Sequence, residues 1–159
     1  MKIDYQQTID GLKENGLIAP NDKCAVCLFE EEEKSNGIIT TVISSKVDYI
    51  MAANVDEIKL FDIDKKTGEY LDSFLTFKKD DVKYEKKAKN RNFVYASKGI
   101  FGGRHIAIHF IAENFVHDYL LPKKYNGFEQ NDARLEIFDF IKNTYNTHYD
   151  TQKTLYKGK

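Results

Sequence analysis

Two histidines and a glycine pair stand together in the stretch 101–110, FGGRHIAIHF. Imidazole is a common metal ligand, and the amides of a Gly-Gly step can hold a phosphate when a helix follows. If residues 104–121 form a helix, His105, His109 and Glu113 stack on successive turns as a His-His-carboxylate metal set. A metal-dependent hydrolase using these three residues is therefore one function that the sequence allows.

The same segment also fits two strands. Apolar and polar residues alternate from Arg104 to Phe110, Glu113-Asn114 supplies a turn, and an apolar run returns to Pro122. In a strand, His105 and His109 share a face but lie about 13 Å apart, so one ion cannot bind both. The helical period matches well too, but the glycine pair and the strands that precede it favour the hairpin. We expect three side chains to enter the core: Ile106, Ile108 and Phe110.

The glycine pair Gly102-Gly103 is a poor phosphate-binding motif. It lacks the Gly-Lys-Ser/Thr of a Walker loop and the third glycine of a dinucleotide-binding loop. We expect it to form a tight turn or bulge that needs positive φ.

The cysteine pair Cys24 and Cys27 has the C-x-x-C spacing of redox and zinc sites. The surrounding run CAVCLF is typical of a strand, in which residues three apart point to opposite faces about 10 Å apart. No second ligand pair follows nearby. We therefore expect two small core side chains, with no disulfide, metal or other cofactor.

A basic run occupies residues 83–91, KYEKKAKNR. It is a candidate site for a phosphate backbone or an acidic partner. Because the chain carries 24 basic and 25 acidic residues, a solvated loop between strands is the simpler interpretation, and nucleic-acid binding is only an alternative. The candidate ligand- or partner-binding residues are Lys83, Lys86, Lys87, Lys89, Arg91 and Arg104.

The remaining composition indicates one globular domain without a catalytic motif. Hydrophobic residues make up 42% of 159, enough to build a core. No apolar run is long enough to span a membrane and the N-terminus does not resemble a signal peptide, so we expect a cytoplasmic protein. No serine lies in a nucleophile elbow and neither cysteine has a histidine beside it in sequence, so we expect no enzymatic activity.

The hydrophobic periodicity predicts a helix, a series of strands and a closing helix. Tyr5, Ile9 and Leu12 have helical spacing within 3–15, short β-branched segments alternate with polar turns from Cys24 to Tyr95, and helical spacing returns over 131–145 with Asn131 or Asp132 as the N-cap. Short successive strands predict antiparallel pairing. We expect one domain over 1–147 and a polar, flexible tail over 148–159.

This order resembles the bacterial pleckstrin-homology-like domains. The similar stretches are YIMAANVDEIKLFDIDKKTGEYL, FLTFKKDDVKYEKKA, KGIFGGRHIAIHF and the closing RLEIFDFIKNTY. The resemblance implies an α+β fold: a bent antiparallel β-barrel of two roughly orthogonal sheets capped by the C-terminal helix, here with a short N-terminal helix. It further implies a non-enzymatic binding or assembly module that recognises a protein or peptide partner or its own copies.

One departure from the resembling family concerns lipid. Its phosphoinositide-binding eukaryotic members have a basic loop between the first two strands, whereas the corresponding residues Glu30–Gly37 begin with four glutamates. Like charge repels an anionic headgroup, so the sequence disfavours phosphoinositide binding. We expect this acidic block to form a solvated turn.

Overall fold

The computed structural model describes residues 2–35, 38–43, 47–79, 83–84, 91–98, 106–112 and 115–146. The helices are α1 (Tyr5–Glu14) and α2 (Asn131–Ile141), and α2 continues into a π-helical turn (Lys142–Asn146). The strands are β1 (Lys23–Ser35), β2 (Ile38–Ile43), β3 (Val47–Ala53), β4 (Glu57–Asp64), β5 (Tyr70–Lys78), β6 (Lys83–Tyr84), β7 (Arg91–Lys98), β8 (Ile106–Ala112), β9 (Phe115–Leu120), β10 (Lys124–Tyr125) and β11 (Phe128–Glu129).

Nine of these strands form one antiparallel sheet in the order β5-β4-β3-β1-β9-β8-β7-β6, and β2 pairs with the second half of β1. β10 and β11 form a separate hairpin. The predicted α+β class with antiparallel pairing is confirmed. The closed barrel is wrong for the described strands, because β5 and β6 lie at opposite ends of the sheet and do not pair with each other. Closure needs end strands that meet over several residues, and β6 has two.

The main core lies between the sheet and α2. It contains Ile137, Phe138 and Ile141 of the helix and alternate side chains of β1, β3, β4, β7, β8 and β9. The three side chains predicted to enter the core from the 104–110 segment belong to it: Ile106, Ile108 and Phe110. The alternation that predicted a strand therefore also predicted its buried face.

A second core lies on the opposite face of the sheet, under α1. Tyr5, Ile9 and Leu12 of the helix pack on Val26, Ile50 and Ala52 and on two side chains of β4, Phe61 and Ile63. β3, β4 and residues 24–27 of β1 are thus packed on both faces, like the middle layer of a three-layer structure. A barrel wall would instead leave its outer face to solvent.

The N-terminal helix begins and ends where its sequence predicts. The Asp4 carboxylate accepts a hydrogen bond from the amide of Gln7 at 3.2 Å, which caps the first turn. Gly16 has φ +72°, a left-handed conformation that favours glycine, and it follows the last turn. The predicted span of 3–15 is confirmed to within two residues.

The C-terminal helix is also confirmed, but its predicted N-cap is wrong. The N-cap is Gln130, whose side chain makes no capping hydrogen bond. The side chain is used elsewhere. Its Oε1 accepts a hydrogen bond from the Val26 amide at 2.8 Å, and its Nε2 donates to the Val26 carbonyl at 2.9 Å and the Pro122 carbonyl at 2.8 Å. The side chain completes the edge of β1, so the helix start is fixed by strand pairing and not by a local cap.

The π-helical turn fixes the end of α2 to the sheet. It brings Tyr145 into the core, where its hydroxyl donates to the Asn54 carbonyl at 2.8 Å. Asn146 accepts from the Ala96 amide at 2.9 Å and donates to the Ala96 carbonyl at 3.3 Å. The end of the helix therefore contacts both the β3–β4 turn and the exposed edge of β7.

The acidic block does not form the predicted turn. Glu30 to Glu33 continue β1 and pair with residues 40–43 of β2. The β-branched residues of β2 favour a strand. Because β2 pairs with the acidic residues, β1 continues beyond the point where its apolar residues end. The prediction of a turn was based on the four like charges alone and did not include pairing with another strand.

A buried carboxyl group lies on the α1 side of the sheet. Asp48 is 1% exposed, and neither oxygen makes a well-aligned hydrogen bond. Burial raises the pKa of Asp48, while the nearby Tyr125 hydroxyl and the Lys65 ammonium act in the opposite direction. Because the charged form is the disfavoured one, Asp48 opposes folding wherever it is ionised.

Replacing Asp48 with asparagine is expected to stabilise the fold in a pH-dependent way. The folded pKa is raised, so the parent loses stability as the pH rises from the ordinary carboxyl pKa through the folded one, and Asp48→Asn does not. We expect a gain of about 1 kcal/mol in the free energy of unfolding near neutral pH. Denaturant unfolding at several pH values measures the gain.

The control for this prediction is Asp10→Asn, which removes the same charge from an exposed position on α1. It should give no comparable gain. A difference between Asp48→Asn and the parent that stays constant across the acidic range would contradict the assignment.

Candidate functional site

The edge strand β5 has an unusually apolar and exposed surface. The large hydrophobic side chains that the structure describes as exposed are Val55, Leu71, Phe74 and Leu75, and the last three belong to β5. Leu75 is the most exposed, at 61%. Among the described strands, β4 is the only one that pairs with β5, so no described strand occupies its other edge, called the open edge below. Apolar edges of this kind are sites of strand addition.

A bulge divides β5 into two parts. Phe61 pairs with Phe74 and Ile63 pairs with Tyr70, so three residues of β5 lie opposite Asp62. Asp72, within the bulge, has φ +53°, a conformation that aspartate tolerates better than most residues. The regular part of the edge is therefore the segment from Phe74 to Lys78.

Hydrogen bonding between β4 and β5 shows which backbone groups reach the open edge. The Lys79 amide donates to the Asp56 carbonyl at 2.9 Å. Because direction alternates along an antiparallel strand, the amide and carbonyl groups of Leu75 and Phe77 point to β4. Those of Phe74 and Thr76 point away from it, toward the open edge.

A second candidate site is a group of hydrogen-bonded side chains around His109 on the 106–120 hairpin, on the face turned away from the main core. β8 and β9 form the predicted antiparallel hairpin, so the helical alternative for 104–121 is wrong over the described residues. His109 lies on β8 directly opposite Asp118, and its Nδ1 is 2.6 Å from Asp118 Oδ1. Its Nε2 is 2.5 Å from Ser97 Oγ on β7. Three adjacent strands therefore bring a serine, a histidine and an aspartate into one hydrogen-bonded row.

The predicted metal set of His105, His109 and Glu113 lies only in part within the described residues. It required a helix through His105, His109 and Glu113, and the segment is a hairpin around His109. His105 and Glu113 lie outside the described residues. Within the described part of the chain, no group of three or more histidine, cysteine, aspartate or glutamate side chains is placed to hold a metal ion.

The basic candidates are described only in part. Lys83 pairs with Asn92 and Tyr84 with Arg91, so the described ends of the run lie on the adjacent antiparallel strands β6 and β7. Lys86, Lys87, Lys89 and Arg104 lie outside the described residues. Binding of nucleic acid or phosphate through this segment stays a prediction, as does the turn at Gly102-Gly103, which also lies outside them.

The cysteine pair has the predicted geometry. Both thiols are free, Cys27 is buried in the main core, and Cys24 packs against the core under α1. They therefore lie on opposite faces of β1, as the alternation of a strand requires. Burial is the largest cause of the raised pKa of each thiol; the pKa of Cys24 is raised to about 11, and that of Cys27 is raised well above its usual value.

Sequence reasoning missed two members of the row around His109. With Glu113-Asn114 as a two-residue turn, the register already places His109 opposite Asp118, so that pair could have been found. Ser97 could not, because the seven residues that separate β7 from β8 leave the register open. The contact between Ser97 and His109 depends on the register between β7 and β8.

No protein-family model, curated protein or solved structure matches this chain. The described helices include none that is long and apolar enough to cross a membrane.

The cysteines are expected to resist alkylation in the native protein. Thiolate is the reactive form, and a pKa raised from 9.0 to about 11 lowers its concentration at Cys24 roughly a hundredfold in mildly alkaline buffer. Cys27 is also inaccessible. Mass spectrometry after iodoacetamide treatment should show little modification of native protein and two modified cysteines in concentrated guanidinium chloride.

A Cys24→Ser variant shows whether any residual alkylation of the native protein occurs at Cys24. That variant should be almost inert until it unfolds. Alkylation of native Cys24 at the rate of a free thiol would show that the Cys24 thiol is not buried in solution.

Proposed function

We propose that this protein is an assembly module whose edge strand β5 pairs with β5 of a second copy. The observation that carries the proposal is the open edge itself, which combines unpaired backbone groups with exposed Phe74 and Leu75. Pairing satisfies the backbone groups and removes apolar side chains from water. The resulting interface has two-fold symmetry, the commonest arrangement in homodimers.

The direction of the backbone groups limits the register of such a pair. Those of Phe74 and Thr76 point outward, so the two copies can exchange hydrogen bonds between Phe74 of one and Thr76 of the other. Leu75 then lies opposite Leu75 of the second copy, in a pair without hydrogen bonds, where side chains are closest. The most exposed apolar side chain of the described residues thus meets its own copy at the symmetry axis.

Charge supports the same register. Antiparallel pairing centred on Leu75 places Lys78 of one copy beside the bulge that carries Asp72 of the other. The symmetry repeats this contact at both ends of the paired segment. Opposite charges across two strands stabilise their pairing, whereas parallel pairing would place like residues side by side.

A pleckstrin-homology-like assignment remains part of this proposal. The features that support it are an antiparallel sheet and a C-terminal helix packed against one face. The open sheet and the helix α1 on its other face depart from the expected barrel. The proposed assembly depends on β5 and not on that assignment.

Replacing Leu75 with glutamate should disrupt the assembly. The substitution places two like charges opposite each other at the centre of the interface while leaving an exposed position exposed in the monomer. We expect the dimer dissociation constant to rise at least tenfold. Analytical ultracentrifugation over a range of concentrations measures it.

Val55→Glu is the matched control, because Val55 is 56% exposed but lies outside β5. It should leave the dissociation constant nearly unchanged. Lys78→Glu should weaken the dimer, and adding Asp72→Asn should recover part of the loss by removing a like-charge contact. A parent protein that is monomeric at every concentration would overturn the proposal.

A further inference from the structure

We propose that Ser97, His109 and Asp118 form a nucleophilic centre that reacts with carboxylic esters bearing an apolar acyl chain. This inference goes beyond the proposed assembly and does not rest on it. It also replaces the sequence-based expectation of a domain without catalysis. It starts from the row of two hydrogen bonds on three adjacent strands, Ser97 Oγ to His109 Nε2 and His109 Nδ1 to Asp118 Oδ1.

The two hydrogen bonds assign a role to each group. An ionised carboxylate only accepts, so Asp118 holds the proton of His109 on Nδ1. Nε2 is then the acceptor for the Ser97 hydroxyl and can take its proton. A serine next to such a base, itself oriented by a carboxylate, is the arrangement that activates an otherwise weak nucleophile.

Burial keeps this row ordered while leaving it reachable. The side chains of His109 and Asp118 are 17% and 25% exposed, and Ser97 is also partly exposed. All three lie on the face of β7–β9 that is turned away from the main core, because their neighbours Ala96, Ile108 and Tyr119 point into it. The centre is therefore fixed by the sheet ladder and open to a ligand on the other side.

An apolar row extends from Ser97 along the same face, in which Ala107 and Leu28 are buried and Leu120 is partly exposed. The strand register aligns Ser97 with Ala107, Leu120 and Leu28 in one row across the sheet. The row ends at a cavity of about 470 Å³ whose lining includes Leu28, Leu120 and Pro122, with Lys123 and Lys124 beside them. Leu120 lies two strand spacings, roughly 10 Å, from Ser97. An acyl chain of several carbons bound along this row would reach the cavity from a carbonyl carbon at Ser97.

The reaction balances with ester and water alone. Ser97 Oγ bonds to the ester carbonyl carbon and its proton passes to His109 Nε2. The bond from that carbon to the alcohol oxygen breaks, and the alcohol leaves with the proton. Water then attacks the acyl-serine, again giving a proton to His109, and releases the acid and the free serine.

The described backbone predicts that this chemistry is slow. The Ala96 amide points to Asn146, so alternation directs the Ser97 amide into the ladder with β8, where it is occupied. It is not free to stabilise an oxyanion, a contribution worth about 10²–10³ in rate per donor. We therefore expect one acylation per protein followed by slow release, seen as a burst and not as rapid turnover.

The test uses an alkyl fluorophosphonate, with which an activated serine forms a bond to phosphorus and releases fluoride. Peptide mapping of the native parent should place the adduct on Ser97, and protein unfolded in denaturant should not react there. With p-nitrophenyl esters we expect a burst of up to one equivalent, larger for decanoate, whose extended chain reaches Leu120, than for acetate. No adduct on Ser97 of the folded parent would overturn the proposal.

Variants then separate the centre from a merely reactive surface serine. Ser97→Ala should abolish the adduct, while Ser73→Ala, which removes an exposed serine on β5, should leave it unchanged. His109→Gln and Asp118→Asn should each slow labelling of Ser97 at least tenfold with circular dichroism unchanged. If a variant does not fold, the presence or absence of the Ser97 adduct on the folded parent still tests the proposal. Labelling of Ser97 at the parent rate in a folded His109→Gln would also overturn the proposal.

Discussion

The backbone of β1 is the constraint on which the rest of the structure depends. Its first part, residues 24–27, packs into a core on each face, so the amides and carbonyls there need partners inside the protein. β3 supplies one edge over residues 23–27 and β9 supplies part of the other over residues 28–30. At Val26, where β9 has already ended, the side-chain amide of Gln130 takes the place of a strand. An unpaired group at this depth would cost about 1–3 kcal/mol.

This constraint links the two helices to the sheet. Gln130 immediately precedes α2, so the side chain that completes β1 also fixes where the helix starts. The buried guanidinium of Arg134 strengthens the same junction by donating to the Leu121 carbonyl at 3.2 Å, at the point where β9 ends. On the other face, α1 covers Val26, Ile50 and Ala52. Sheet and helices therefore form one cooperative core on each side of β1.

The ends of the sheet have different properties from its centre. β3, β4 and the first part of β1 bury side chains in a core on each face, whereas β5 is exposed along most of its length. A long, apolar, open edge is a hazard in an isolated domain, because any extended chain can pair with it. The bulge at Asp72 shortens the regular part of that edge. The bulge therefore limits the length over which another extended chain can pair regularly with β5.

The row on β7, β8 and β9 shows how a sheet can bring distant residues together. Directly opposite residues and diagonal neighbours are within reach across adjacent strands, so His109 contacts Asp118 and Ser97 at the same time. Each residue is ordinary in its own sequence context. Their combination follows from the register, which also aligns the apolar row beside them.

By itself, the sequence determined most of the element order and the buried faces. The spacing of Tyr5, Ile9 and Leu12 predicted α1, and the alternation around Ile106 and Ile108 predicted both a strand and its buried side. The spacing of Cys24 and Cys27 predicted thiols on opposite faces. These features depend on period, and a period of 3.6 or 2 is local to the chain.

Tertiary structure alone decided the open sheet, the continuation of β1 through the acidic block, the use of Gln130 as a strand substitute and the Ser97–His109 contact. Each depends on which strand or side chain lies opposite a given residue. Local charge predicted a turn at Glu30 to Glu33, and local capping preference predicted Asn131 or Asp132 as the N-cap. Both were wrong because the pairing partner came from elsewhere in the chain, and pairing satisfies buried backbone groups that local preference does not.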